Sequence, residues 1–212
     1  MALFQMIARG TEKSARVLAT IILFFGILGA VPAKASEAES YVRAIADKLE
    51  PLLSTSDLSY DNIDEFLTAH IAQQLDMRRI ARYVLRKYWK KISVAERQRF
   101  MNVFKNSILE SYKKHLYNYA RAEIRIVRSV EHPPAGASVI TKVRVPSKTP
   151  LSMNWRLYRT EDKLRIFDIS VAGISKVSAA RSEYKTVLEK HGFNHLISEI
   201  CNRIEGKRPK SC

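Results

Sequence analysis

Few residues of this chain are placed to carry out covalent chemistry. The acid that most suggests catalysis is Asp168, which lies between Phe167 and Ile169 in a segment that alternates like a β-strand. A carboxylate in such an apolar setting could act as a general base if it lay in a cleft beside a second titratable group. The simpler interpretation, which we favour, is a structural carboxylate paired with an arginine such as Arg181 on the following helix.

Metal-binding and nucleotide-binding motifs are also missing from the sequence. His191 and His195 have the spacing of two ligands on one helical turn, but Gly192 lies between them and is expected to end a helix. His115 lies among lysines, which indicates an ordinary position on a helix surface. The chain has seven glycines and neither a G-x-G-x-x-G pattern nor a P-loop, so no phosphate cradle is predicted. We therefore expect neither a metal nor a cofactor.

The sequence is richest in apolar helix surface between residues 75 and 119. Apolar side chains recur there every three or four positions, which predicts two amphipathic helices, the first with a strongly basic outer face. The second is expected to begin at Ser93, because Ser93 and Glu96 form an S-x-x-E capping box. Such ring-bearing stripes usually pack in a core, yet helices laid on a sheet also enclose cavities for water-insoluble ligands. Periodicity alone leaves both interpretations open.

The elements around this stretch predict an α+β fold of N-terminal helices, a four-stranded antiparallel sheet and C-terminal helices. Helices are expected over 37–53, 62–74, 175–191 and 194–204, and alternating segments over 122–130, 138–145, 151–159 and 164–171 predict the strands of a meander. The side chains that these patterns turn inward include Leu49, either Leu52 or Leu53, Phe66, Leu67 and Ile71 on the first helices, Leu151, Met153, Trp155 and Leu157 on the third strand, and Phe167, Ile169 and Val171 on the fourth.

The N-terminus has the three-part layout of a secretory signal peptide. Basic residues precede an apolar run over 17–31, and Ala33 and Ala35 stand at the −3 and −1 positions of a cleavage site. An uncleaved anchor is the alternative, but about 15 apolar residues fall short of the roughly 20 that span a bilayer. We therefore predict a cleaved leader over 1–35, one domain over 36–204 and a basic tail over 205–212.

Charge and cysteines fit an exported protein. The net charge of +15 favours anionic lipid or acidic protein surfaces as partners, although it could equally serve solubility alone. Cys201 and Cys212 could form a local disulfide in an oxidising compartment.

Several separated blocks of sequence resemble the MlaC family, the periplasmic phospholipid-binding proteins of the toluene-tolerance type. The blocks are L-D-x-x-R-I-A-R-Y-V-L-x-K-Y-W-K over 75–90, A-E-R-Q-R-F-x-x-x-F over 95–104, S-Y-x-x-x-L over 111–116, F-D-I-S-V-A-G-I-S over 167–175 and R-S-E-Y over 181–184. They occur in order within 38–200. The family usually has Gly where this chain has Arg86, and Asn where it has Ala180.

The resemblance implies a monomeric periplasmic carrier, not an enzyme, whose helices and sheet enclose an apolar cavity for phospholipid. Its implied partners are an outer-membrane lipoprotein complex and an inner-membrane ABC transporter with an MCE-domain subunit. The alternatives are a carrier of another lipid such as a hopanoid, an enzyme that uses Asp168 in a similar cavity, and an adaptor with a filled core.

On this interpretation the apolar stripes supply the lipid-binding residues, and arginines near the pocket mouth contact a headgroup or a partner. The predicted lipid-binding residues are Val84, Tyr88, Trp89, Phe100, Phe104, Tyr112, Leu116, Met153, Trp155, Phe167, Ile169 and Val171. The predicted headgroup or partner contacts are Arg82, Arg86 and Arg181.

Overall fold

A computed structural model describes residues 36–55, 57–146, 148–204 and 212. The predicted leader over 1–35 and all of the predicted tail except Cys212 lie outside the described residues. A disulfide joins Cys201 to Cys212. Among the described residues, no helix is both long enough and apolar enough to span a bilayer.

The helices occur where the apolar periodicity predicts them. Their bounds are α1 Glu37–Ser54, α2 Tyr60–Phe66, α3 Met77–Leu85, α4 Val94–Tyr117, α5 Lys176–Lys190 and α6 Gly192–Asn202, with a π-helical turn over Leu67–Ile71 after α2 and a 3₁₀ turn over Arg86–Lys90 after α3.

Polar side chains begin most of these helices. Ser36, Ser59, Asp76 and Ser175 each accept a hydrogen bond from a main-chain N–H three residues further along the chain. The capping box predicted at Ser93 is confirmed, because the Ser93 side chain accepts from the Glu96 N–H while the Glu96 carboxylate accepts from the Ser93 N–H. These contacts pair donors that the helix itself leaves unsatisfied.

The strands form an antiparallel meander of order β1-β2-β3-β4-β5 in the described part of the chain. The bounds are β1 Glu123–His132, β2 Gly136–Arg144, β3 Leu151–Thr160, β4 Lys163–Val171 and β5 Ile174–Ser175. The predicted count of four strands is wrong by one, because Gly173 turns the chain at a φ of 81° and lets Ile174 and Ser175 pair back onto the end of β4. A two-residue strand is too short to show alternation in the sequence.

Strand register places one set of alternating side chains on a single face. Residues of β2 lie opposite residues of β3 in the pairs Ala137 with Leu157, Val139 with Trp155, Thr141 with Met153 and Val143 with Leu151. Helix α1 packs against β1 and β2, whereas α3 and α5 contact β4. The sheet is therefore enclosed by helices from both ends of the chain, in agreement with the predicted α+β class.

Arg86 ends α3 in a backbone conformation that favours glycine. Its φ of 48° and ψ of −118° lie outside the regions open to residues with a Cβ. The MlaC-like pattern in the sequence implies glycine at this position. The arginine therefore holds backbone strain of about 1–3 kcal/mol.

Replacing Arg86 by glycine should raise the free energy of unfolding by about 1 kcal/mol, because the strain relieved exceeds the chain entropy that glycine adds to the unfolded state. Urea denaturation measures this change. The matched control is Arg86→Ala, which removes the guanidinium, keeps the Cβ and should bring no comparable gain. Equal stabilisation by both variants would mean that charge repulsion, and not the backbone, is relieved.

Candidate functional site

An apolar cavity lies between the first helices, the C-terminal part of α4 and the face of the sheet described above. Its volume is about 60 Å³. No lysine, arginine or acid is among the described residues that line it. The lining residues are Leu49, Leu53, Phe66, Leu67, Ile71, Tyr112, His115, Leu116, Tyr119, Ile124, Val143, Leu151, Met153, Trp155, Ile169 and Val171.

Regular spacing within each element explains how the wall is built. Leu49 and Leu53 are four residues apart on α1, so they lie on one helical face, and the same holds for Tyr112 and Leu116 on α4. On β3 and β4 the lining residues are two apart, because alternate side chains of a strand point to the same side. The wall is thus the apolar face of each element turned toward a common space.

Part of the cavity wall is open to solvent. His115 is exposed, and Leu116, Tyr119, Ile124, Leu151, Met153 and Val171 are partly exposed. Leu49, Leu53, Leu67, Trp155 and Ile169 are buried parts of the same wall. The mouth therefore lies where the end of α4 meets the start of β3.

Polar groups in the inner wall are neutral. The Trp155 indole Nε1 donates to Thr141 Oγ1 at 3.1 Å. Burial raises the pKa of Tyr112, with a further contribution from the negative charge of Asp168, so its phenol stays protonated at neutral pH. Wall groups that stay uncharged suit an apolar ligand, because a buried charge there would need a partner.

Asp168 lies outside the cavity lining. It is fully buried and accepts a hydrogen bond from Arg156 Nη2, which lies 2.8 Å from its Oδ2, on the neighbouring strand. The expected partner Arg181 is therefore wrong: Arg156 lies directly opposite Asp168 in the β3–β4 register, whereas the Arg181 guanidinium lies 4.3 Å from the centre of the Tyr83 ring. The carboxylate that the enzymatic alternative requires does not line the cavity.

The family known as MlaC protein matches residues 42–202 of this chain. The chain belongs to the MlaC family. This confirms the resemblance seen in the sequence blocks, since the matched region contains all of them.

Two individual proteins are similar to this chain at greater distance. The chain is 25% identical over 124 residues to the intermembrane phospholipid transport system binding protein MlaC of Haemophilus influenzae, an alignment that covers 55% of this chain and 56% of that protein. The match thus spans about half the length of that curated relative. A phospholipid-binding protein from Ralstonia solanacearum, solved in complex with a phospholipid, superposes on this chain with a TM-score of 0.70 at 16% sequence identity. The superposition covers 79% of this chain and 97% of the Ralstonia solanacearum chain. That likeness establishes the fold.

The structure brings half of the predicted lipid-binding residues of this MlaC-family protein to the cavity. They come from the C-terminal half of α4 and from β3 and β4. These residues are Tyr112, Leu116, Met153, Trp155, Ile169 and Val171. Their contact with lipid stays a prediction.

The other predicted lipid-binding residues lie away from the cavity. Phe100 and Phe104 are fully buried, stack on each other and pack edge-on against Tyr184 of α5. Phe167 is the extra residue of a β-bulge, so it leaves the face of Ile169 and contacts Tyr83.

The two aromatic residues at the end of the first predicted helix are displaced for a different reason. Tyr88 and Trp89 lie on the 3₁₀ turn, because the positive φ of Arg86 ends α3 before them. Tyr88 and Val84 line a separate surface depression, and the guanidinium of Arg97 lies over the Trp89 ring. Val84, Tyr88 and Trp89 therefore do not line the cavity.

The predicted headgroup arginines are also distant from the mouth. Arg86 and Arg181 line the depression shared with Val84 and Tyr88, about 450 Å³ in volume, together with Lys87 and Lys185. Arg82 lies in another depression beside Asp76. Neither depression shares a lining residue with the cavity.

The sequence patterns do not assign ten of the wall residues to lipid binding. Their signal was present, since the helical period turned several of them inward, but only the fold shows that inward means toward this cavity. The overlooked residues are Leu49, Leu53, Phe66, Leu67, Ile71, His115, Tyr119, Ile124, Val143 and Leu151.

Replacing Arg156 by methionine should lower the free energy of unfolding by roughly 2–3 kcal/mol, because the buried Asp168 carboxylate loses its cation. Combining Arg156→Met with Asp168→Asn should recover most of that loss, as measured by urea denaturation. Arg156 also lies 5.0 Å from the Phe167 ring centre. A loss that the second substitution does not rescue would assign the effect to this ring contact instead of to the ion pair.

Proposed function

We propose that this protein carries a phospholipid by enclosing its acyl chains in the apolar cavity. The observation that carries the proposal is the cavity wall, which is built from aliphatic and aromatic side chains of both the helices and the sheet. The ligand class is supported by the phospholipid bound to the Ralstonia solanacearum protein of the same fold and by the name of the Haemophilus influenzae relative. Another lipid, such as a hopanoid, would use the same wall and is separated by the measurement below.

Enclosure matters because exposed acyl chains are very unfavourable in water. Two chains contain on the order of 30 methylenes, and at about 0.8 kcal/mol for each CH₂ their exposure costs more than roughly 20 kcal/mol. Spontaneous release into water is therefore far too slow for transport. Transfer must take place while the carrier is docked, so that the chains pass from one apolar surface to another.

The cavity must widen to accept a whole lipid. A volume of about 60 Å³ accommodates a few chain atoms, not two acyl chains. The sheet side of the wall is held by ladder hydrogen bonds, whereas the helical side includes the π-helical turn Leu67–Ile71, a geometry with weaker local regularity. We assign the widening to movement of α1 and α2 away from the sheet.

The positive charge of the protein and its family support our proposal for its docking partners and its compartment. Outside the leader, lysine and arginine still outnumber the acidic residues, and this positive charge steers docking to acidic protein surfaces or anionic membranes. We assign the protein to the periplasm, after cleavage of its leader. There it moves lipid as a monomer between an outer-membrane lipoprotein complex and an inner-membrane ABC transporter with an MCE-domain subunit.

Lipid extracted from the purified protein should contain phospholipid at close to one molecule for each chain, quantified by mass spectrometry against the protein. A hopanoid or other lipid in that extract would redirect the ligand assignment. Protein that contains no stoichiometric lipid and takes up none from phospholipid vesicles would contradict the carrier function.

Filling the cavity should block loading without unfolding the protein. Val171→Trp places a large ring at the wall and should reduce bound lipid severalfold with little change in melting temperature. Phe104→Trp is the matched control, because Phe104 is fully buried away from the cavity. Overpacking there should cost about 1–3 kcal/mol of stability and leave the lipid content of the folded protein unchanged. The reverse pattern would place the lipid beside Phe104.

A further inference from the structure

A cluster of cations lies next to the mouth of the apolar cavity. Arg121, Arg144 and Lys148 line one exposed depression of about 300 Å³, together with Glu123. None of these cations was predicted from the sequence to contact a ligand. Glu123 is the acid of the depression, and its carboxylate lies 3.2 Å from the guanidinium of Arg125.

Short contacts connect this cluster to the cavity wall. The main-chain N–H of Arg121 donates to the carbonyl of Leu53 at 2.6 Å, and Leu53 lines the cavity. Lys148 Nζ lies 5.9 Å from the centre of the Tyr119 ring, another wall residue, and donates to the carbonyl oxygen of Asn118 at 2.8 Å. The ammonium is thus held at the point where α4 ends and the cavity opens.

The strands that carry the cluster also carry the rim. Arg144 directly follows Val143 of the wall, and the depression ends at Pro150, next to the rim residue Leu151. Alternate residues of a strand point to opposite sides, so Arg144 and Val143 start from opposite faces of the sheet. Arg144 is the last residue of β2, and Val143 beside it pairs with the rim residue Leu151, so Arg144 lies at the end of the strand next to the mouth. The other acid nearby is Glu50, whose carboxylate accepts a hydrogen bond from the main-chain N–H of Ile124 at 2.7 Å.

We propose that Arg121, Arg144 and Lys148 bind the phosphate of the lipid whose chains occupy the cavity. This inference rests on the proposed function. A glycerophospholipid has its phosphate a few bonds from its acyl chains, so chains that enter at the mouth leave the phosphate beside this depression. Guanidinium and ammonium groups are the side chains that recognise phosphate by charge-assisted hydrogen bonds. The second basic depression, around Arg86 and Arg181, is lined by α3, the 3₁₀ turn and α5, and none of these elements contributes a residue to the described cavity wall. The strands β1 and β2, in contrast, supply residues both to the wall and to the proposed site.

The test compares two lipids that differ only in the phosphate. The purified protein is offered dioleoyl phosphatidic acid and dioleoylglycerol at equal concentrations in mixed micelles, and the bound lipids are counted by mass spectrometry. Three exposed cations that pair with one phosphate should give a preference of about tenfold for phosphatidic acid. Raising the salt concentration should weaken that preference, because the contacts are exposed to solvent.

Arg144→Gln with Lys148→Gln should reduce the preference to about twofold while total loading with dioleoylglycerol stays unchanged. The matched control is Arg86→Gln with Lys185→Gln, which removes the same charge from the other depression and should keep the full preference. Melting temperatures within a few degrees of the starting protein establish that each variant is folded.

Each remaining outcome is decisive. If Arg144→Gln with Lys148→Gln keeps the tenfold preference for phosphatidic acid, the phosphate site is overturned while the proposed lipid carriage stands. Equal loss in both double variants means that net charge alone sets the preference, which also overturns it. Calorimetric binding of inorganic phosphate to the cluster, abolished by Arg144→Gln with Lys148→Gln, would assign it to free phosphate instead of a lipid. Failure of every protein to load either lipid overturns the proposed function and this site with it.

Discussion

The register of the central strands is the constraint on which the cavity depends. Ladder pairing puts Trp155 opposite Val139 on one side and opposite Ile169 on the other, so a single row of large apolar side chains crosses the sheet. Because strand side chains alternate, a slip of one residue would turn this row away from the helices. The buried hydrogen bond between Trp155 and Thr141 adds a polar contact that only this register provides.

Helix α4 divides its apolar stripe between stability and binding. Its N-terminal half is enclosed by α5 and α6, where Phe100 and Phe104 pack against Tyr184. Its C-terminal half faces the sheet across the cavity, with Tyr112 and Leu116 on the wall. The first half contributes a packed core, whereas the second half turns one face toward an unfilled space. One continuous helix therefore joins a filled core to a cavity that must change shape.

Positive charge is distributed over separate sites with different surroundings. The cluster of Arg121, Arg144 and Lys148, the mouth cluster, adjoins apolar wall residues. The depression at Arg86 lies between α3 and α5 and is also lined by Lys87, whose ammonium lies 3.2 Å from the Glu189 carboxylate. Arg86 keeps its charge there at the cost of backbone strain, which occurs where function or context requires it. The positive charge of the described residues is therefore divided among surfaces with different neighbours, and the mouth cluster is placed beside the cavity wall.

Much of this protein is determined by its sequence alone. The helical period, the capping box at Ser93 and the four alternating segments predict the α+β architecture, because periodicity and caps are local properties. The ordered blocks are enough to recognise the family. Inward-facing residues on α1, β3 and β4 also follow from the period, so Leu49 and Trp155 are predicted to be buried.

Only the tertiary structure decides which buried residues face the cavity and which fill the core. Phe167 follows the pattern of Ile169 in the sequence, but a bulge turns it to the other side of the sheet. Phe104 and Leu116 share one stripe, yet Phe104 packs against Tyr184 of α5 whereas Leu116 lines the cavity. Arg121 and Lys148 are far apart in the chain and meet only where α4 ends beside the sheet. A pattern along the chain specifies which side of an element is apolar; which neighbour covers that side depends on packing between distant elements.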